Sequence, residues 1–214
     1  AEMPPLEDPK LWRVQLQAIS NLEKSLAQNR PRSLVQMATG SGKTFTAISA
    51  IYRLIKYAGA RRVLFLVDRT NLGKQTFREF QQYISPANGY KFTDEFNVQH
   101  LKKNTIDPVS RVCVTTVQRL YSMLRGEQDF DEANEEGSMY ESLAGLVKEA
   151  VPVEYNPHIP VETFDFIVAD DAREAIAKPD RAEQRDQLLR RGDGSRVGLG
   201  ASVEEQAAIL RGRG

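Results

Sequence analysis

The chain has 214 residues, 41% of them hydrophobic, with 29 lysines and arginines against 29 aspartates and glutamates. That size leaves room for one domain with an ordinary core, and the charge balance excludes a general basic coat, so a face that meets nucleic acid must be local. Cys113 is the single cysteine. It excludes an internal disulfide framework and a cysteine-rich zinc site, and a reducing compartment, the cytoplasm, is expected. No apolar run reaches the roughly 18 residues of a membrane helix, so no membrane partner is expected.

Trp12, Leu16, Ile19, Leu22 and Leu26 recur at intervals of three and four, the spacing of one stripe on an amphipathic helix, which should end near Asn29-Arg30-Pro31. The apolar run Ser33-Leu34-Val35-Gln36-Met37 predicts a strand. It leads into the glycine-containing segment Ala38 to Thr44 and a helical pattern through Ile48, Ile51, Leu54 and Ile55. Arg62 to Val67 is nearly all apolar, as a parallel strand covered on both faces must be, and a helix is expected from about Asn71 to Tyr83. Arg111 to Thr115 reads as the next strand, Val117 to Leu124 as its helix, and Phe164 to Ala169 as a further strand. Strands alternating with helices imply an α/β fold, a doubly wound parallel sheet with helices on both faces in three layers.

Between the last two units, residues 126–162 carry Glu127, Asp129, Asp131, Glu132, Glu135 and Glu136 against a single lysine, Lys148. This reads as an acidic surface insertion with a helix around Tyr140 to Glu149. The expected organisation is an N-terminal helix over residues 1–30, a main domain over 31–170, and a divergent, highly charged and then glycine-rich tail over 171–214 that could complete the same domain. His100 and His158 lie far apart without other ligand types at metal spacing, and neither is a site candidate.

A triphosphate needs backbone N–H donors converging on it, hence glycines where the chain bends tightly, and a helix start whose dipole favours anions. Thr39, Gly40, Ser41 and Gly42 supply the loop. Lys43 is suited to reach the β and γ phosphates, and the Thr44 hydroxyl to complete a Mg²⁺ shell. The strict phosphate-loop pattern is missed at its first position, where Met37 stands.

Four stretches taken together resemble superfamily 2 helicases, and within them most resemble the motor subunit of type I restriction endonucleases. These are Met37 to Ile48, Leu64 to Leu72, Val114 to Leu120 and Phe164 to Asp170. The resemblance implies a RecA-like P-loop NTPase fold, ATP and Mg²⁺ as cofactors, and movement on double-stranded DNA once a second RecA-like domain and the restriction–modification subunits are present. In that class a small or apolar residue is common where Met37 stands.

The resemblance further implies that Gln15 recognises adenine, its amide donating and accepting at once. Asp68, Arg69, Thr70 and Asn71, with Thr115, Thr116 and Gln118, match the segments that hold the nucleic-acid backbone, although helix capping by Thr70, Asn71 or Thr116 is equally natural chemistry. Asp170 corresponds to the Mg²⁺-holding carboxylate and Asp171 to the residue that polarises the attacking water. Here the sequence departs from the family: Asp170-Asp171-Ala172-Arg173 stands where Asp-Glu-x-His is usual. Asp171 is one methylene short, and misplacing a catalytic base by about an ångström costs on the order of 100-fold in rate. Val197 to Ser202 faintly resembles the family's Gly-Leu-Thr-Ala-Thr turn. The expected behaviour of the chain alone is nucleotide binding with slow turnover. A catalytically silent nucleotide-binding module and an unrelated P-loop NTPase remain open alternatives.

Overall fold

A computed structural model describes residues 3–128, 130 and 156–170 of the chain. Asp171, Arg173 and the whole tail over 171–214, the Val197 to Ser202 stretch included, lie outside the described residues, as does the helix expected around Tyr140 to Glu149.

Helix α1 spans Arg13–Ala27 and α2 spans Lys43–Tyr57. Strand β1 (Val63–Val67) follows, then α3 (Thr70–Gln82), the single turn α4 (Phe92–Glu95), β2 (Val98–His100), β3 (Val112–Thr116), α5 (Val117–Leu124) and β4 (Phe166–Ala169). The four strands form one parallel sheet in the order β2-β3-β1-β4. β1 is central. Every one of its residues is buried, which is why it reads as an unbroken apolar run rather than an alternating one.

Successive side chains of a strand point to opposite faces, and the two faces carry separate cores. Val63, Phe65 and Val67 of β1 pack with Val112 and Val114 against Ile48, Ile51, Tyr52 and Ile55 of α2, Phe80 of α3 and Phe92 of α4. Leu64, Leu66 and Cys113 face the other way, onto Leu120, Met123 and Leu124 of α5. The three-layer α/β arrangement, RecA-like in form, is therefore present in the described residues. α1 adds to it from outside, where its Ile19 clusters with Leu11 and with Ala50 of α2. A largely buried ion pair of Arg53 on α2 with Glu23 on α1 joins the two helices.

Two expectations are corrected. Trp12 is the N-cap of α1 and is 62% exposed, so it stands outside the apolar stripe. Residues 33–37 form no strand: a strand exists through its pairing, and among the described strands β4 is an edge and none takes this segment as a neighbour. Leu34 and Val35 accordingly stay 43% and 39% exposed, and all four residues of β4 are only half-buried despite being apolar. Among the described residues no helix is long and apolar enough to cross a membrane.

Candidate functional site

The segment before α2 is bent by two glycines held for different reasons. Gly40 has φ +77° and sits third in a turn closed by the Ser41 N–H donating to Ala38 O at 3.2 Å, a position that demands φ above zero. The Ser41 hydroxyl reinforces the turn by donating to the same carbonyl at 2.6 Å. A Cβ on Gly40 would meet nothing within 4 Å, so the loop faces open space there. Gly42, at φ +76°, is the N-cap of α2, and a Cβ on it would lie 2.5 Å from Gln15 Nε2. Close approach of α1 is the second reason for glycine.

Gln15 is 5% exposed. Its Oε1 accepts the Trp12 N–H at 2.9 Å, capping α1, and its Nε2 donates to Ser41 O at 3.0 Å. The residue expected at the adenine edge thus braces the glycine loop. Beside the loop lies a cleft of about 440 Å³, lined by Val14, Gln17 and Leu22 of α1 together with Leu34, Val35 and Ala38.

Lys43 opens α2, where the first-turn N–H groups have no acceptor inside the helix and the helix dipole is positive. The Thr44 hydroxyl donates to Asp170 Oδ2 at 3.3 Å, across 126 positions of sequence. Asp170 reaches this place because its N–H continues the β1–β4 ladder, donating to Leu66 O at 2.9 Å. A hydroxyl and a carboxylate side by side, next to an open loop, suit Mg²⁺, which keeps several waters and takes hard oxygens. Among the described residues no cluster of three or more histidines, cysteines, aspartates or glutamates competes as a metal cage.

Asp68 to Asn71 follow β1, and Thr115 to Gln118 close β3 and open α5. The register pairs Val67 with Thr116, so both segments leave the sheet at the same level, and Gln118 Nε2 joins them by donating to Asp68 O at 3.3 Å. Arg69 is partly exposed and contacts Asp68 at 3.4 Å, and Asn71 is exposed. Thr70, Thr115 and Thr116 are buried. Thr116 caps α5, its Oγ1 accepting the Arg119 N–H at 3.2 Å, which is the capping role its residue type allows. These segments, the glycine loop and Asp170 converge on the carboxyl ends of the parallel strands, where open α/β sheets bind ligands.

A glycine loop at a helix start with a hydroxyl–carboxylate pair beside it, at the carboxyl edge of a parallel sheet, is the arrangement of the RecA-like α/β fold. Residues 8–190 match the family described as type III restriction enzyme, res subunit, and the chain belongs to that family, within the superfamily 2 helicases. It is similar to the EcoKI endonuclease subunit, a type I restriction enzyme of Escherichia coli K12, with 35% identity over 120 residues that cover 56% of this chain and 10% of that protein. The EcoAI endonuclease subunit of Escherichia coli is 29% identical over 195 residues, 89% of this chain and 19% of that protein. The SauCOLORF180P endonuclease subunit of Staphylococcus aureus COL is 30% identical over 112 residues, 52% and 12% respectively. The matched region thus spans between a tenth and a fifth of each of these relatives.

Proposed function

We propose that the chain is the ATP-binding first half of a DNA translocase motor, of the kind carried by type I restriction endonuclease subunits. The observation that supports this best is the meeting of Thr44 with Asp170 beside the open glycine loop. In this reading Gly40 and Gly42 present backbone donors to the phosphates, Lys43 places its charge on the β and γ phosphates, and Thr44 and Asp170 hold Mg²⁺. Bound Mg²⁺ neutralises charge on the transferring phosphoryl group. Gln15 braces the loop through Ser41 and takes the adenine edge. Asp171, where the family usually has glutamate, orients the attacking water less well and makes turnover slow.

Arg69, Asn71 and Gln118 meet the DNA backbone, positioning the duplex without reading its sequence. A second RecA-like domain completes the motor by supplying arginines worth about 10³ to 10⁵ in rate, and the other restriction–modification subunits select the DNA. Steady-state Mg·ATP hydrolysis with and without duplex DNA tests the reading, with Lys43→Ala as the blank. Slow turnover that DNA stimulates and Lys43→Ala abolishes is expected, whereas turnover indifferent to DNA argues for a P-loop NTPase of another kind. The Asp170-Asp171-Ala172-Arg173 sequence favours one second reading, a silent nucleotide-binding module, for which Asp171→Glu leaves hydrolysis flat.

A further inference from the structure

β2 ends at the same edge of the sheet as β1 and β3. Its register pairs His100 with Val114, and the Leu101 N–H still donates to Val114 O at 2.9 Å. The chain therefore leaves the sheet at Leu101, level with Thr115 near the end of β3, and the next residues are Lys102 and Lys103, both exposed. Neighbouring strands lie about 4.8 Å apart, so the ends of β2, β3 and β1 make a row roughly 10 Å long. DNA advances about 3.4 Å per phosphate along one strand, and such a row covers about three of them.

The turn is clamped on both sides of the lysines. Before it, the His100 ring stacks on Phe77 of α3, with centroids 6.1 Å apart and planes at 27°. His100 also lies so close to α3 that a Cβ on Gly73 would come within 2.9 Å of its Nε2. After it, Asn104 Nδ2 donates to Ser122 Oγ at 3.0 Å and to Glu127 O at 2.7 Å, and Asn104 Oδ1 accepts from the buried Arg119 guanidinium at 3.4 Å. Gln99 Nε2 donates to Thr105 O at 3.0 Å, and Gln99 Oε1 accepts the Asp107 N–H at 2.9 Å. Because the backbone of this turn is already held, a polyanion meeting the two cations need not order the loop as well.

We infer that Lys102 and Lys103 form a further contact to the phosphate backbone of duplex DNA, in line with the ends of β1 and β3, and that Asn104 is the positioning residue that presents them. The inference rests on the reading of this domain as a DNA motor half. It is tested with the full chain and a fluorescent duplex, by measuring affinity across a series of salt concentrations. Each phosphate contact contributes about 0.9 to the slope of log affinity against log salt. The Lys102→Ala/Lys103→Ala variant should lose about 1.8 from that slope while binding Mg·ATP as the parent does. Lys102→Arg/Lys103→Arg should keep the slope, and Asn104→Ala should lower it less than removal of both lysines. The control Lys10→Ala/Lys24→Ala removes the same charge elsewhere on the exposed surface and should leave the slope alone. An unchanged slope in Lys102→Ala/Lys103→Ala, or an equal loss in the control, overturns this inference and leaves the motor reading standing. Absence of duplex binding by the parent chain overturns both.

Discussion

The Thr44 hydroxyl at the start of α2 and the Asp170 carboxylate at the end of β4 meet at 3.3 Å although 126 positions separate them. Nothing local in the chain brings them together. The parallel sheet does so, since β4 pairs with β1 and its last N–H still bonds Leu66 O. A Mg²⁺ site drawn from these two side chains makes the metal dependence of nucleotide binding their shared property. Thr44→Val and Asp170→Asn should each flatten the Mg²⁺ dependence of ATP affinity and leave metal-free affinity near the parent's. Calorimetric titrations with Mg²⁺ and with a chelator check this. A steep Mg²⁺ dependence surviving in both variants would place the metal elsewhere.

The loop glycines should differ in cost. An L-residue in the left-handed region costs roughly 1–2 kcal/mol, and Gly40→Ala incurs that alone because its Cβ meets nothing within 4 Å. Gly42→Ala adds a Cβ 2.5 Å from Gln15 Nε2 and should displace the amide from Ser41 O, losing a further ~1 kcal/mol. Urea unfolding of both variants, repeated on a Gln15→Ala background, measures the difference. The excess cost at Gly42 should vanish there, and persistence of the full excess would dissociate Gly42 from Gln15.

Much of this is legible in the amino-acid sequence. α5 falls on its expected limits and α3 within a residue, because their apolar positions keep helical spacing and their starts follow strand ends. β1 and β3 were legible as continuous apolar runs. β2 and α4 have three and four residues, too few for periodicity to register. Residues 33–37 carry a strand's composition without a strand's partner, and composition cannot report pairing. Burial of Thr70, Thr115 and Thr116 was equally invisible, since a threonine that caps or fills a sheet and one that meets phosphate have the same side chain. The double engagement of Gln15 arises from packing of α1 against the loop, which no local pattern encodes.

Asp165 ties the start of β4 to the start of β1. Burial opposes its charge, but the Arg61 side chain and the Arg61 and Arg62 N–H groups outweigh burial and hold its carboxyl below the ordinary 3.8. A folded pKa below the unfolded one stabilises the fold above the unfolded value, and that contribution is lost as pH falls through the folded value. Stability should therefore decline below about pH 4, and Asp165→Asn should make the decline shallower. Thermal melts between pH 3 and 7 check the sign, and an identical acid profile in Asp165→Asn would contradict it.

Cys113 is fully buried in β3, and burial pushes its thiol from 9.0 up to about 11. Because the thiolate is the reactive form, labelling at pH 8 should be slower than in urea by about a hundredfold from the shift alone, with burial adding to it. Labelling by a maleimide should thus follow unfolding, and a native rate close to the rate in urea would show that β3 is open to solvent.

The most direct test of nucleotide binding by residues 39–44 is a titration of the parent chain and Lys43→Ala with Mg·ATP, with circular dichroism showing both to be folded. Saturable binding by the parent, weakened at least about tenfold in Lys43→Ala, or ~1.4 kcal/mol, is the predicted result. Equal affinity in the two proteins would contradict the account, because it would remove the triphosphate from this loop.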